Sequence, residues 1–352
     1  PSRARKRDDM LRILQRAWAL AMSLPVIGPL LVKLRSFIPD HDDQNILSLF
    51  YILVHYRKVD FAAFMKSHRE ALKQGHETGD YTPGVCNYYK LMADLITLAS
   101  GPFWHYVPMT VGRTRKQCHE QFHHTVASFL DAQAEDRILE FGCGYGEIGR
   151  QLAKISGASV TGLTMADEEL QGGNERIKKA GLEGQCNLVQ GNYHKTPFDD
   201  ASFDKVFGVY TLKYSADLDA AVAELARVLK PGGKFMSYEI LVTDKYDPAD
   251  KVQRYHVDNI SHSTCMPPLW TAQAMREAAK KAGLVAKDEV DLCAEPGAGA
   301  WYSCFQRTGV YWVLKRRAVF RLMQIAEALR ILPAGFSDFY EHCMVHPVTD
   351  FV

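Results

Sequence analysis

The sequence predicts an α/β fold, a parallel sheet with helices on both faces. Three observations carry that prediction. From residue 137 onward, short apolar runs alternate with amphipathic stretches, the pattern of successive βαβ units. The first of these runs leads into "ILEFGCGYGEIGR", residues 138–150, where four glycines crowd one turn. The 352-residue chain is also 47% apolar and 24% charged, enough to build a sizeable core.

At this length one large domain or two closely packed ones are expected. The 42 basic and 41 acidic residues leave a net charge of +1, which offers no general attraction for nucleic acid. The eight cysteines show no C-x-x-C spacing. They read as free thiols of a reducing compartment rather than as zinc ligands or a disulfide framework.

The elements follow in chain order. "SRARKR" at the amino end precedes an uncharged run, "AWALAMSLPVIGPLLV" at 17–32, and a second run, "ILSLFYILV" at 46–54. A spanning helix takes about 20 apolar residues; both runs are shorter, and Pro25 and Pro29 interrupt the first. Basic residues followed by apolar ones fit a segment lying in a membrane interface. A buried helix is the alternative, as is a signal peptide, although no small-residue cleavage site stands out. Residues 1–80 are therefore read as a basic and apolar helical segment that anchors at a membrane surface.

Polar–apolar spacing predicts helices over 60–75 and 115–130. Between them lies "YTPGVCNYYKLMADLITLASGPFWHYVP", aromatic and punctuated by Pro and Gly, a segment expected to cover a site. Residues 81–130 thus form an aromatic lid with its helices. The core, 131–245, reads as strand "RILEFG", helix "EIGRQLAKIS", strand "ASVTGLT", helix "DEELQGGNERIKKAG" and strand "CNLVQGN". Strand "FDKVFGVYTL" and helix "DLDAAVAELARVLK" follow, and "PGG" turns the chain into strand "KFMSYEIL". In 246–352, helix "TAQAMREAAKKAG" and strand "LVAKDEVDL" precede a helical, aromatic, Arg-rich stretch at 300–332.

In an open parallel sheet, ligands bind beyond the carboxyl ends of the strands. Gly142, Gly144 and Gly146 let the backbone approach a ligand with no Cβ in the way. Two ligand classes compete for that turn. Gly144, Gly146 and Gly149 match the dinucleotide pattern G-x-G-x-x-G, but Thr164 stands where a nicotinamide or flavin cofactor wants an acid. Glu140 lies just before the glycines, where a carboxylate attracts a cation and opposes a pyrophosphate. S-adenosylmethionine carries a sulfonium and an ammonium, so Glu140 ahead of Gly142, Cys143, Gly144 and Gly146 favours it. After the third strand, Asn192 is suited to meet an adenine amino group and Tyr193 to lie on the ring; a plain turn residue and a core residue are the alternatives. Thr164 either touches ribose or caps the next helix, for which Asp167 is the better candidate. No histidine has the spacing of a metal site. The pair His123–His124 reads as a solvated helix face.

The order "SFDKVFGVYTL" then "ELARVLKPGGKF" resembles a class I methyltransferase. From about residue 85 onward the chain resembles the sterol methyltransferase family. That family's aromatic lid, Y-Y-x-L-x-x-D-x-Y-E-Y-G-W-G-x-S-F-H-F, has a counterpart in "YYKLMADLITLASGPFWHY", where Tyr88, Tyr89, Leu91, Asp94, Gly101 and His105 coincide with it. "EFGCGYGEI" parallels its glycine turn, "YEILVTDKYD" at 238–247 matches its fifth-strand region, and "WY" at 301–302 resembles the opening of its sterol domain. The resemblance implies a Rossmann-like methyltransferase sheet, a lid containing Tyr88, Tyr89, Trp104 and Tyr106, and a C-terminal sterol-binding helical region. It implies S-adenosylmethionine as cofactor, a sterol as substrate, and an intracellular place on the cytosolic face of the endoplasmic reticulum membrane or in the cytoplasm. It also implies a chain cut short at Val352, since the family's last strand has no counterpart.

The departures are informative. The lid's Y-E-Y-G-W becomes "ITLAS", and the fourth strand's I-E-A-T-C-H becomes "VYTLKY", placing Tyr210 and Tyr214 where the family has glutamate and histidine. The loop G-D-G-I-P becomes "STCMPP", with His262 just before it. Side-chain methylation at C-24 passes through a carbocation that aromatic faces and carboxylates stabilise, at about 0.5–2 kcal/mol per ring. Losing them favours the family's nematode branch, which methylates C-4 of the sterol nucleus. That chemistry wants a base near C-4 and donors at an enolate oxygen, for which His105, Tyr210, Tyr214, Glu239 and His262 are the candidates. C-24 methylation is the alternative, as is an inactive sterol carrier on the same fold.

Overall fold

The computed structural model describes residues 59–100, 105–110, 112–292, 294, 298–299 and 317–346. The apolar runs at 17–32 and 46–54, Trp104 and the "WY" at 301–302 lie outside the described residues. Among those described, no helix is long and apolar enough to cross a membrane.

Two helices come first, α1 (Phe61–Thr78) and α2 (Thr82–Ser100), joined by a turn at Gly79. Asp60 starts α1 by accepting from the Ala63 amide at 2.9 Å. After the short strand β1 (Met109–Thr110), helix α3 (Arg115–Leu130) opens with a reciprocal cap between Thr114 and Gln117. The core then alternates as the sequence predicts: β2 (Arg137–Phe141), α4 (Glu147–Ser156), β3 (Ser159–Thr164), α5 (Asp167–Lys179), β4 (Cys186–Gln190), β5 (Phe203–Val209), α6 (Leu218–Val228) and β6 (Leu229–Tyr238). The helices α7 (Lys251–Thr264) and α8 (Ala272–Lys281) follow, then β7 (Ala298–Gly299), which pairs with β1, and α9 (Arg317–Ala328). A short helical segment, Phe336–Phe339, continues as a π-helical turn, Tyr340–Val345.

The five core strands are parallel in the order β4-β3-β2-β5-β6. Helices cover both faces, so β2 is buried at four successive positions, Ile138 to Phe141. This continuous apolar run is what a two-sided parallel strand requires. The chain builds β2, β3 and β4 outward, then crosses back to lay β5 on the other side of β2. The crevice beyond β2 and β5 is therefore the switch point where such sheets take ligands.

Two expectations fail. "LVAKDEVDL" at 284–292 forms no strand: Val285 and Val290 are exposed, and three consecutive charges, Lys287 to Glu289, leave no face to bury. "PGG" does not end a turn before β6 but lies inside that strand, where the register with β5 jumps from Phe203↔Leu229 to Lys205↔Lys234. The glycines absorb the extra residues as a bulge.

Candidate active site

The cavity at the carboxyl ends of β2–β5 has a volume of about 750 Å³, within the usual range for small-molecule sites. One wall is the glycine turn. Gly142 and Gly144 both adopt left-handed φ, +63° and +53°. A Cβ at Gly142 would collide with Thr211, whereas one at Gly144 would meet only Glu169 Oε1 at 4.0 Å, so Gly144 borders open space. The Cys143 amide donates to Leu163 O at 3.0 Å, fixing the turn to the end of β3. Gly146 is a correction: its Cβ would strike Leu188 at 2.8 Å, so it serves packing at the start of α4 rather than the cavity.

Glu140 lines the cavity while 3% exposed, and its Oε2 accepts from the Gly149 amide at 2.9 Å. That contact explains Gly149, where a Cβ would come within 2.6 Å of the same oxygen. Burial pushes the Glu140 carboxyl up to about 8, against the opposing Gly149 amide and Arg150 charge. A buried, easily neutralised acid is what an incoming cation converts to a carboxylate.

At the end of β3, Thr164 does not cap α5. Its hydroxyl donates to Glu169 Oε2 at 2.5 Å, and Ala166, with no side-chain cap bond, precedes the helix. Glu169, five positions on, thus supplies an acid beside Thr164, where the sequence has none at the strand end. Sequence reading missed it because Glu169 lies in the helix beyond the strand end; its signal is the acidic run Asp167, Glu168, Glu169. After β4, the Asn192 carboxamide oxygen accepts from the His194 amide at 2.9 Å and faces His194 Nδ1 at 3.1 Å. Tyr193 is 7% exposed, stacks against His194 with centroids 4.7 Å apart, and also packs on Phe141, so it is a core residue with one edge on the cavity.

The opposite wall comes from α2, His105 and the turn after β5. The Tyr89 and Tyr214 hydroxyls lie 2.6 Å apart, joining α2 to that turn. Burial pushes the Tyr89 phenol up to about 12 and that of Tyr214 well above the ordinary range, so both stay protonated donors. Tyr210 has left-handed backbone (φ +54°) and stacks on Tyr238 at 5.2 Å, with the Tyr106 ring tilted against it at 6.0 Å. Between Tyr210 and Tyr214 lies Lys213, 8% exposed, its Nζ 5.1 Å and 4.9 Å from the two ring centroids. Sequence reading missed Lys213 too; the signal was a charged residue at the apolar position where the resembling family has cysteine.

His105 is 5% exposed and lines the cavity. Its ring lies 5.0 Å from that of His119 and 5.8 Å from that of His123. Burial holds its imidazole well below the ordinary range, so it is neutral at physiological pH. His123 is buried as well, and only its neighbour His124 is exposed. Among the described residues, no group of histidines, cysteines and acids is arranged to hold a metal.

Three further expectations are corrected by placement. Glu239 lies behind the wall, accepting from the amides of Thr211 (3.1 Å), Leu212 (2.9 Å) and Lys213 (3.4 Å) and from the Ser237 hydroxyl (2.9 Å). It holds the turn and does not face a substrate. His262 belongs to the back of the helical layer, where its carbonyl oxygen lies 2.7 Å from His68 Nε2. Tyr88 points into a cluster with Phe61, Met65 and Phe339 instead of into the cavity.

These groups fit S-adenosylmethionine. The Gly144 backbone leaves room for the ligand, Glu140 and Glu169 face it with acids, and Asn192 with Tyr193 flank the end of β4. A match to the methyltransferase domain model spans residues 139–237, the whole glycine turn through β6. The chain is 32% identical over 290 residues to the sterol 4-C-methyltransferase strm-1 of Caenorhabditis elegans, covering 82% of this chain and 86% of that one. It is 30% identical over 266 residues to the 24-methylenesterol C-methyltransferase 2 of Arabidopsis thaliana, covering 75% and 72%. The geranyl diphosphate C-methyltransferase of Streptomyces coelicolor, solved with S-adenosyl-L-homocysteine, shares the fold at a TM-score of 0.58 and 19% identity, over 65% of this chain and 87% of that one. With the cavity, the glycine turn and these likenesses together, the chain belongs to the sterol methyltransferase family and is an S-adenosylmethionine-dependent sterol C-methyltransferase.

Proposed function

We propose that the enzyme methylates C-4 of the sterol nucleus, acting on a 3-keto form through its enolate. The observation that carries this reading is the make-up of the wall facing the cofactor turn. From α2, His105 and the turn after β5, its described lining residues include Tyr89, Lys90, His105, Tyr210, Lys213 and Tyr214, and no carboxylate. An enolate is anionic and is stabilised by hydroxyl donors and a nearby ammonium. A carbocation on a sterol side chain is destabilised by the same ammonium. The relative named a sterol 4-C-methyltransferase supports the reading, and the relatives named for C-24 chemistry define its competitor.

When bound, S-adenosylmethionine supplies an electrophilic methyl group. The chain's own part is to hold that cation against Glu140 and the Gly142–Gly144 backbone, to exclude water under α2, and to present the Tyr89 and Tyr214 hydroxyls to the ketone oxygen. The enzyme is further proposed to work at the endoplasmic reticulum membrane, with the apolar runs at 17–32 and 46–54 lying in the interface. Incubation with a 3-keto sterol and a Δ24 sterol, each with methyl-labelled cofactor, tests the reaction. Label at C-4 is expected, and label on the side chain overturns the proposal.

A further inference from the structure

Methylation at C-4 needs a group that removes a proton there, and several groups around the cavity are poorly suited: burial holds the His105 imidazole well below its ordinary range, which makes it a weak base. The phenols of Tyr89 and Tyr214 are held protonated. Glu239 is committed to three backbone amides. Glu140 lies across the cavity, in contact with the cofactor turn.

Lys213 differs from all of these. It occupies the 3-10 turn Leu212–Tyr214, which Glu239 fastens from below and Thr211 fastens to the end of β2: the Thr211 hydroxyl donates to Phe141 O at 3.3 Å. Lys213 thus lines the cavity from a turn tied to the end of β2, directly before the cofactor turn. It is buried between two aromatic rings, and among the described residues it makes no hydrogen bond or ion pair with a carboxylate. Ring faces favour its charged form and burial favours its neutral one. Burial prevails, bringing the amine down to about 8 against the opposing charge of Glu239. The titratable groups that share the cavity with it are Tyr210 and Tyr214, whose rings lie against it, Tyr89 of α2, His105 and, on the cofactor wall, Glu140, with Glu239 behind the turn.

We propose that Lys213 Nζ is the catalytic base that takes the C-4 proton of the 3-keto sterol. The inference rests on the C-4 reading above. The neutral amine forms a new N–H bond as the C4–H bond breaks. The electron pair of that bond passes into the enolate, with its charge on the ketone oxygen, and the resulting ammonium stays beside it. The proton leaves to solvent after the methylated product departs.

The step can be read without methyl transfer, as exchange of the C-4 hydrogens of a 3-keto sterol in D₂O with no cofactor present. The wild-type protein is expected to catalyse exchange at a rate that rises with pH and levels off above about 8. Lys213→Gln should lower the rate by about 10²–10⁴-fold, the usual contribution of a general base. Lys213→Arg should lower it equally, because arginine keeps the charge but does not deprotonate. Cofactor binding by calorimetry, within about twofold of wild type, shows that a variant is folded; if the Gln variant fails this, the Arg variant and the wild-type pH profile decide. Exchange at the wild-type rate in Lys213→Arg, or a wild-type profile flat from pH 6 to 9, overturns the role of Lys213 and leaves C-4 methylation standing. Side-chain label with no C-4 exchange by the wild type overturns both.

Discussion

The two walls of the cavity are built in opposite ways. The cofactor wall is local: Gly142 to Gly144, Glu140 and Thr164 come from one βαβ unit, and its character is acid and bare backbone. The substrate wall is assembled from two stretches more than a hundred positions apart, α2 with His105 and the turn after β5, and its character is phenol, imidazole and amine. The first matches the cation it has to meet, and the second suits the developing anion of the proposed C-4 reaction. The difference teaches that one wall can be inherited as a motif, whereas the other has to be met in three dimensions.

Breaking the cofactor wall should have the largest effect. Gly142→Ala forces a side chain into left-handed backbone, at about 1–2 kcal/mol, and into the Thr211 side chain, at about 1–3 kcal/mol more. Thermal melting should fall accordingly and calorimetric cofactor binding should be lost. Gly181→Ala is the control, since φ is +67° there with nothing within 4 Å of a Cβ. It should show the backbone cost alone and normal cofactor binding.

Removing the support shared by both walls comes next. Glu239→Ala leaves buried amides unpaired at about 1–3 kcal/mol. Steady-state kinetics should show sterol turnover falling further than cofactor affinity.

The Glu140 carboxyl provides a pH test. Its value rises from an ordinary 4.5 to about 8 in the free protein. Its contribution to apoprotein stability is therefore complete below pH 4.5 and lost as pH passes 8. A bound cation favours the ionised form, so binding should release a proton. Cofactor affinity should then strengthen as pH rises toward 8, by up to about tenfold per unit. Calorimetry in buffers of different ionisation enthalpy reads that proton directly, and Glu140→Gln should abolish both the slope and the release.

The smallest effect is expected on the substrate wall. Tyr89→Phe removes one hydroxyl of the phenol pair, at about 0.5–1.5 kcal/mol. The sterol KM should rise a few-fold with cofactor affinity unchanged.

The same contrast governs how much could be read from the chain. Helix α4 begins and ends where its spacing predicts, at Glu147 and Ser156, and β2 to β5 lie within a residue or three of their apolar runs. Periodicity and glycine placement are local signals, and the cofactor wall is made of them. Glu239 looked like a site acid because "YEILVTDKYD" resembles the family's fifth-strand region. Its direction is set by the amides of a neighbouring turn, which no one-dimensional pattern records. His262 had only loop position in its favour, and folding put it in a helix at the rear. Lys213 was visible as an oddity in "VYTLKY", yet its meaning depends on Tyr210 and Tyr214 closing around it. The false strand at 284–292 failed for a reason that was legible, its run of charges.

The cluster that anchors Tyr89 draws Phe61, Met65 and Tyr88 together with Phe339 and Cys343, residues nearly 300 positions apart. During synthesis the sheet has all its strands once β6 has left the ribosome, while the cover over it still waits for partners not yet made. Domains that emerge first fold first, so the cofactor cradle matures early and the greasy chamber is sealed last.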